Sequence, residues 1–99
     1  MAQLIVLYKT KDAAAFDNHY FQIHIPLAKR LPGLRKYEVS RGPVMTPVGP
    51  SGFHLIATLH FDDIASIQNA FASAEGQAAS ADAQSLGPLD ILLFDSQEV

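Results

Sequence analysis

The segment FHLIATLHF, residues 53–61, places Phe53, Leu55, Ala57, Leu59 and Phe61 at alternate positions. A period of two sets all five on one face of a strand. The other face, His54, Ile56, Thr58 and His60, is mixed but still partly apolar. A strand with two such faces needs cover on both sides, and this limits the folds open to the chain. AQLIVLYK (2–9), LRKYEVSRG (34–42) and LDILLF (89–94) read as three further strands. All are short runs bounded by turn residues, and the first is rich in β-formers.

Helical patterns fill the gaps. Asp12 is placed to cap a helix on which Ala13, Phe16, Tyr20, Ile23, Leu27 and Leu31 form one stripe at spacings of three and four. Leu31-Pro32-Gly33 stops it, and GPVMTPVGPSG (42–52) reads as a long loop. Asp62 or Asp63 caps a second helix that turns Ile64, Ile67, Ala70 and Phe71 inward. Ser73 caps a third near 74–85, with Glu75 well placed at its positive end, and Gly87-Pro88 ends it. The order strand, helix, strand, strand, helix, strand predicts an α+β, ferredoxin-like βαββαβ fold. Residues 1–99 make one domain, an antiparallel four-stranded sheet with helices on one face. The other face stays apolar and uncovered, which predicts a homodimer joined through sheet faces.

Composition narrows the function. The chain has 99 residues and no cysteine, which excludes disulfides, zinc–thiolate sites and cysteine nucleophiles and suggests a cytoplasmic protein. No apolar run reaches the ~18 residues of a membrane span, and the first residues lack a signal-peptide pattern. All seven Lys and Arg lie between Lys9 and Arg41, whereas residues 42–99 hold seven acids and neither Lys nor Arg. The basic residues are spread over several elements, which suits a solvated surface and attraction between interleaved halves. Dinucleotide, P-loop and nucleophile-elbow motifs are absent. The third strand keeps Gly52, Phe53 and Ile56 of an RNA-recognition pattern but lacks its basic residue and stacking aromatics. With a net charge of −3, nucleic acid is not an expected partner.

Candidate chemistry lies in HYFQIHIPLAKRLPGL, residues 19–34. On an α-helix His19 and His24 are five apart, about 140° around the axis, so they share no face and no metal, and His19 points to the surface. Tyr20 and His24 are four apart and adjacent. An imidazole and a hydroxyl where a helix meets apolar strands suit proton transfer on a small molecule. The plainer alternative is a histidine satisfied by the Gln22 carbonyl, which Pro26 leaves without an N–H partner. His24 and Tyr20 are therefore the catalytic candidates. Tyr8, Tyr37, His54, Leu27 and Phe71 are the substrate-binding candidates, and His54 and His60 are candidates for a subunit interface.

The pattern Phe16-x-x-His19-Tyr20-x-x-x-His24-x-Pro26-Leu27, followed by Leu31-Pro32-Gly33-Leu34, resembles the EthD family, named for ethyl tert-butyl ether degradation. His54-Leu55-Ile56-Ala57, Phe61-Asp62, the run Ala70 to Gln77 and Asp82 agree with it. Where the family often has proline after the serine, this chain has Ala74. The resemblance implies a dimeric α+β barrel. It also implies kinship with cofactor-free monooxygenases, polyketide cyclases and muconolactone isomerases, and an oxidoreductase label tied to a cytochrome P450 system.

Three functions are then open. One is a small enzyme or accessory protein acting on an apolar ring or ether-derived metabolite without metal or cofactor, as a monooxygenase-like oxidoreductase or, alternatively, as an isomerase or cyclase of the lactone or polyketide type. A second is a binding module that sequesters or delivers such a molecule. The third is a structural dimer whose pocket Phe16, Phe53 and Phe71 fill.

Overall fold

In the computed structural model, which describes residues 1–99, strand β1 (Ala2–Tyr8) alternates strictly. Ala2, Leu4, Val6 and Tyr8 are buried, and Gln3, Ile5 and Leu7 between them are only half-buried. β1 is flanked on both sides by antiparallel partners. Leu4 pairs with Leu59 of β5 (Leu55–Phe61) and with Leu93 of β6 (Leu89–Asp95). β2 (Lys36–Val39) pairs outside β5, giving the order β2-β5-β1-β6. This is the predicted ferredoxin-like sheet. The loop between β2 and β5 is more ordered than its prolines and glycines suggest, because Met45–Thr46 (β3) and Gly49–Pro50 (β4) form a small hairpin.

The helices lie on the face that carries Leu4, Val6, Tyr8, Leu55, Ala57, Leu59 and Phe61, and the core sits between the layers. Asp12 accepts from the Ala15 N–H and starts α1 (Ala13–His19). Asp63, not Asp62, caps α3 (Ile64–Ala72) by accepting from Ser66. Ser73 caps α4 (Ala74–Ser85) by accepting from Gly76. Asp62 instead takes a two-pronged bond from Arg35, at 3.0 and 2.8 Å, which ties the basic half of the chain to the acidic half. No helix is long and apolar enough to cross a membrane.

The long first helix departs from the expected single stripe. Between α1 and α2 (Ile25–Ala28) the chain makes one π-helical turn, Tyr20–His24, in which the Ile25 N–H donates to the Tyr20 carbonyl five residues back. Pro26 follows at once and cannot extend an i→i+4 ladder. The wider turn absorbs an extra residue and shifts the inward stripe. Phe16, Tyr20, His24, Ala28 and Leu31 are buried, while Ile23 is 49% exposed and Leu27 only half-buried.

Candidate active site

That shift puts His24, only 5% exposed, on the inner side of the helix. Its Nδ1 lies 2.9 Å from Oδ2 of Asp82, which α4 brings across from the other side of the helical layer. The other carboxylate oxygen, Oδ1, lies 2.8 Å from Nε2 of His19. His19 therefore does not simply face solvent. An i→i+5 turn sets residues five apart about one full turn from each other, so both imidazoles reach one carboxylate. The expectation that these rings share no face fails for this reason. Nor is His24 satisfied by the Gln22 carbonyl, because Asp82 takes that role.

A carboxylate accepts hydrogen bonds, so the His24 proton sits on Nδ1 and Nε2 keeps its lone pair. Nε2 has no protein partner, yet no fully buried side-chain polar atom lacks one. Nε2 therefore opens onto space. Burial pushes the His24 pKa down, the bond to and charge of Asp82 pull it partly back, and the neighbouring His19 lowers it again. The net direction is down from 6.5, which leaves the ring neutral at neutral pH.

The space is a cavity of about 320 Å³ between sheet and helices. Tyr8, Tyr20, Tyr37 and Phe71 line it together with His24. The Tyr20 and Tyr37 hydroxyls lie 2.5 Å apart. The Tyr8 hydroxyl has no protein partner and by the same reasoning opens into the cavity. Burial raises all three phenol pKa values, that of Tyr37 to about 12, so each stays protonated. Tyr8 meets Tyr20 and His24 edge-on, at ring separations of 5.5 and 6.4 Å. The exposed residues of the lining are Gln68, Gln84, Ile91 and Leu93, and these mark the mouth beside the edge strand β6.

Two predicted lining residues stand elsewhere. Leu27 is displaced by the π turn, and Ala28 and Leu31 line the cavity instead. His54 precedes β5 and does not follow its alternation. It turns toward α1, bonds Asp17 at 2.7 Å and packs edge-on against Phe16. It borders a separate, open groove of about 810 Å³ beside the β3–β4 hairpin, lined by polar and apolar residues together. His60 lies on the uncovered sheet face and bonds Glu38. The phenylalanines do not fill the cavity. Phe16 packs behind Tyr8 and Tyr20, Phe71 forms a wall, and Phe53 lies outside under Lys9. Asp82 is the functional candidate that spacing alone leaves unmarked. The available signal is that, after Glu75, it is the only charged residue of an alanine-rich helix.

The profile of the EthD domain matches residues 9–86. The chain belongs to the EthD family. An uncharacterised 11.0 kDa protein in the thcB–thcC intergenic region of Rhodococcus erythropolis is 35% identical over 97 residues, 96% of this chain and 93% of that one. The crystal structure of an EthD family protein from Bacillus halodurans has a TM-score of 0.90 at 37% identity, covering 98% of this chain and 99% of that one. SnoaB from Streptomyces nogalater, a cofactor-independent oxygenase, has a TM-score of 0.65 at 15% identity, covering 99% of this chain and 94% of that one. The last likeness shows the fold alone.

Two EthD-like segments of the sequence meet at this site. His24-x-Pro26-Leu27 spans the end of the π turn. Ser73-x-Glu75-Gly76-Gln77 sets the start of α4, and hence the position of Asp82 two turns later.

Proposed function

We propose that this EthD protein is an oxidoreductase of the monooxygenase kind, acting on a small apolar ring or ether-derived metabolite, with His24 as general base. The observation that carries it is the His24 Nε2 lone pair, held by Asp82 and open to an apolar cavity. A base with a lowered pKa needs an acidic proton, which points to a CH2 between a carbonyl and an aromatic ring, or to a phenol. The proton passes to Nε2. The Tyr8 O–H donates to the substrate oxygen on which negative charge gathers, in surroundings where that bond is strong. The carbanion then supplies electrons to dioxygen, and one oxygen atom adds to the carbon. Loss of the second proton with cleavage of the O–O bond gives the balance CH2 + O2 → C=O + H2O. The cofactor-independent oxygenase SnoaB, with the same fold, supports this reading. The absence of cysteine suits a cytoplasmic setting.

A suitable probe is 2-tetralone, a bicyclic ketone whose C1 methylene stands between ring and carbonyl. Oxygen uptake with it is expected to fall about 10²–10⁴-fold in His24→Ala. A thermal shift, roughly 2.7 kcal/mol at a hundredfold excess over Kd, should persist. Equal uptake by both proteins would sink the assignment. Binding without turnover in the wild type would favour a delivery module, and anaerobic conversion to an isomer would favour an isomerase.

We also propose a homodimer through the uncovered sheet face. Ile5, Leu7, Ile56, Leu92 and Phe94 lie on it, and Leu92 and Phe94 are exposed in the single chain. A contiguous apolar sheet face of this kind is suited to association. Sedimentation equilibrium should give twice the chain mass for the wild type and the single mass for Leu92→Asp. A monomeric wild type would refute the dimer.

A further inference from the structure

Tyr20 and Tyr37 hold two hydroxyl protons between them, and their mutual bond uses one. Tyr20 borders the cavity but is 0% exposed, so neither water nor a ligand can reach its hydroxyl. Its proton has one place to go, the Tyr37 oxygen. Tyr37 accepts that bond and keeps its own O–H, for which the protein offers no acceptor. The bond from Tyr20 offsets part of the rise that burial gives the Tyr37 pKa, in keeping with this direction. Tyr37 is half-buried on β2 and lines the cavity, so its O–H is free to donate to whatever occupies it. A hydroxyl that accepts one hydrogen bond also donates a stronger one.

The cavity therefore presents two free donors, Tyr8 and Tyr37, and one free lone pair on His24 Nε2. The donors enter from different corners. Tyr8 of β1 stands opposite Leu55 of β5, and Tyr37 of β2 stands opposite Leu59. β5 lies between β1 and β2, so the two backbones are roughly 10 Å apart across the sheet and roughly 14 Å apart along it. A ring with an oxygen at each end meets both. No acid, lysine or arginine lines the cavity, so a charged group would enter it unpaired. We infer that the substrate is a neutral ring compound with two acceptor oxygens, an inference that names the substrate class of the site proposed above and rests on that reading. One oxygen stands beside the acidic carbon and takes the Tyr8 O–H. The other stands toward the far end of the ring system and takes the Tyr37 O–H. Holding both ends keeps the ring from turning, and the carbon that loses its proton stays at His24 Nε2.

The test is calorimetric binding, without oxygen, of 2-tetralone and of its four isomers methoxylated on the aromatic ring. A methoxy oxygen accepts a hydrogen bond and cannot donate one. At least one isomer is expected to bind about 2–10-fold more tightly than 2-tetralone, the usual effect of one hydrogen bond. That gain should survive in Tyr20→Phe, which keeps the Tyr37 O–H, and vanish in the double variant Tyr20→Phe/Tyr37→Phe. Removing both hydroxyls leaves no buried group unpaired, so the double variant is expected to fold. The gain over 2-tetralone should also survive in Tyr8→Phe and in His24→Ala, because neither change touches the second donor. No gain with any isomer, or a gain that persists in the double variant, would overturn the second oxygen, and the base would still stand if His24→Ala abolishes oxygen uptake. A gain already lost in Tyr20→Phe would place the donor on Tyr20 and equally overturn the assignment to Tyr37. Uptake unaffected by His24→Ala, with the gain intact and dependent on Tyr37, would remove the base and support the ligand class.

Discussion

Gly76→Ala is expected to lower the midpoint of thermal unfolding by roughly 8–16 °C. A Cβ built on Gly76 would collide with the Ala70 carbonyl oxygen and lie 2.5 Å from the Phe71 Cα. Both are backbone atoms at the end of α3, so no rotamer change relieves the clash. α4 must move away from α3, or α3 must shift. Overpacking of this kind costs about 1–3 kcal/mol, and in a domain of this size each kcal/mol moves the midpoint by about 4–8 °C. The gain in helix propensity from Gly to Ala, about 1 kcal/mol, offsets only part of it. The contact is locked from the other side by Ser73, whose hydroxyl donates to the Ala70 carbonyl and accepts from the Gly76 N–H. A variant melting within about 2 °C of wild type would show that the two helices separate freely.

The same contact shows what the sequence carries and what it leaves out. Capping and period reveal that Ser73 starts a helix, and strand alternation reveals the sheet and its uncovered face. Those are local rules, and the helix starts at Asp12 and Ser73 obey them. The close crossing at Gly76 is a tertiary fact. Nothing in A-E-G-Q says which backbone the glycine must admit. The π turn is hidden for a similar reason. An α-helical period assigns Ile23 and Leu27 to the core, and Pro26 signals a break without showing that the break is taken up as one wider turn. That extra residue replaces Leu27 by Ala28 along the inner stripe and brings His19 back to the side of His24. Tyr8, Tyr20, Tyr37 and Phe71 were within reach of strand and helix periodicity because each follows its element's regular alternation. His54 was not, because it precedes β5 and follows the loop instead.

Asp82→Asn should lower turnover of a proton-abstraction probe by about 10³-fold, within the range for loss of a general base's function, while leaving the cavity intact. Asparagine has nearly the shape of aspartate, so α4 need not move. Its amide can donate to His24 Nδ1, whereas the carboxylate can only accept. A donor at that position favours the tautomer with the proton on Nε2. The group facing the substrate is then an N–H and no longer a lone pair, and the base is lost although the ring stays in place. Long-range ¹⁵N correlation spectra of the imidazoles read the tautomer directly, and probe binding by thermal shift reports whether the cavity survives. A shift of the proton to Nε2 with binding retained and turnover lost is the expected set. Turnover within about tenfold of wild type would show that the tautomer held by Asp82 does not control the chemistry. Imidazole added to the solution cannot restore a lone pair inside the cavity, so the loss in Asp82→Asn is expected to persist in its presence.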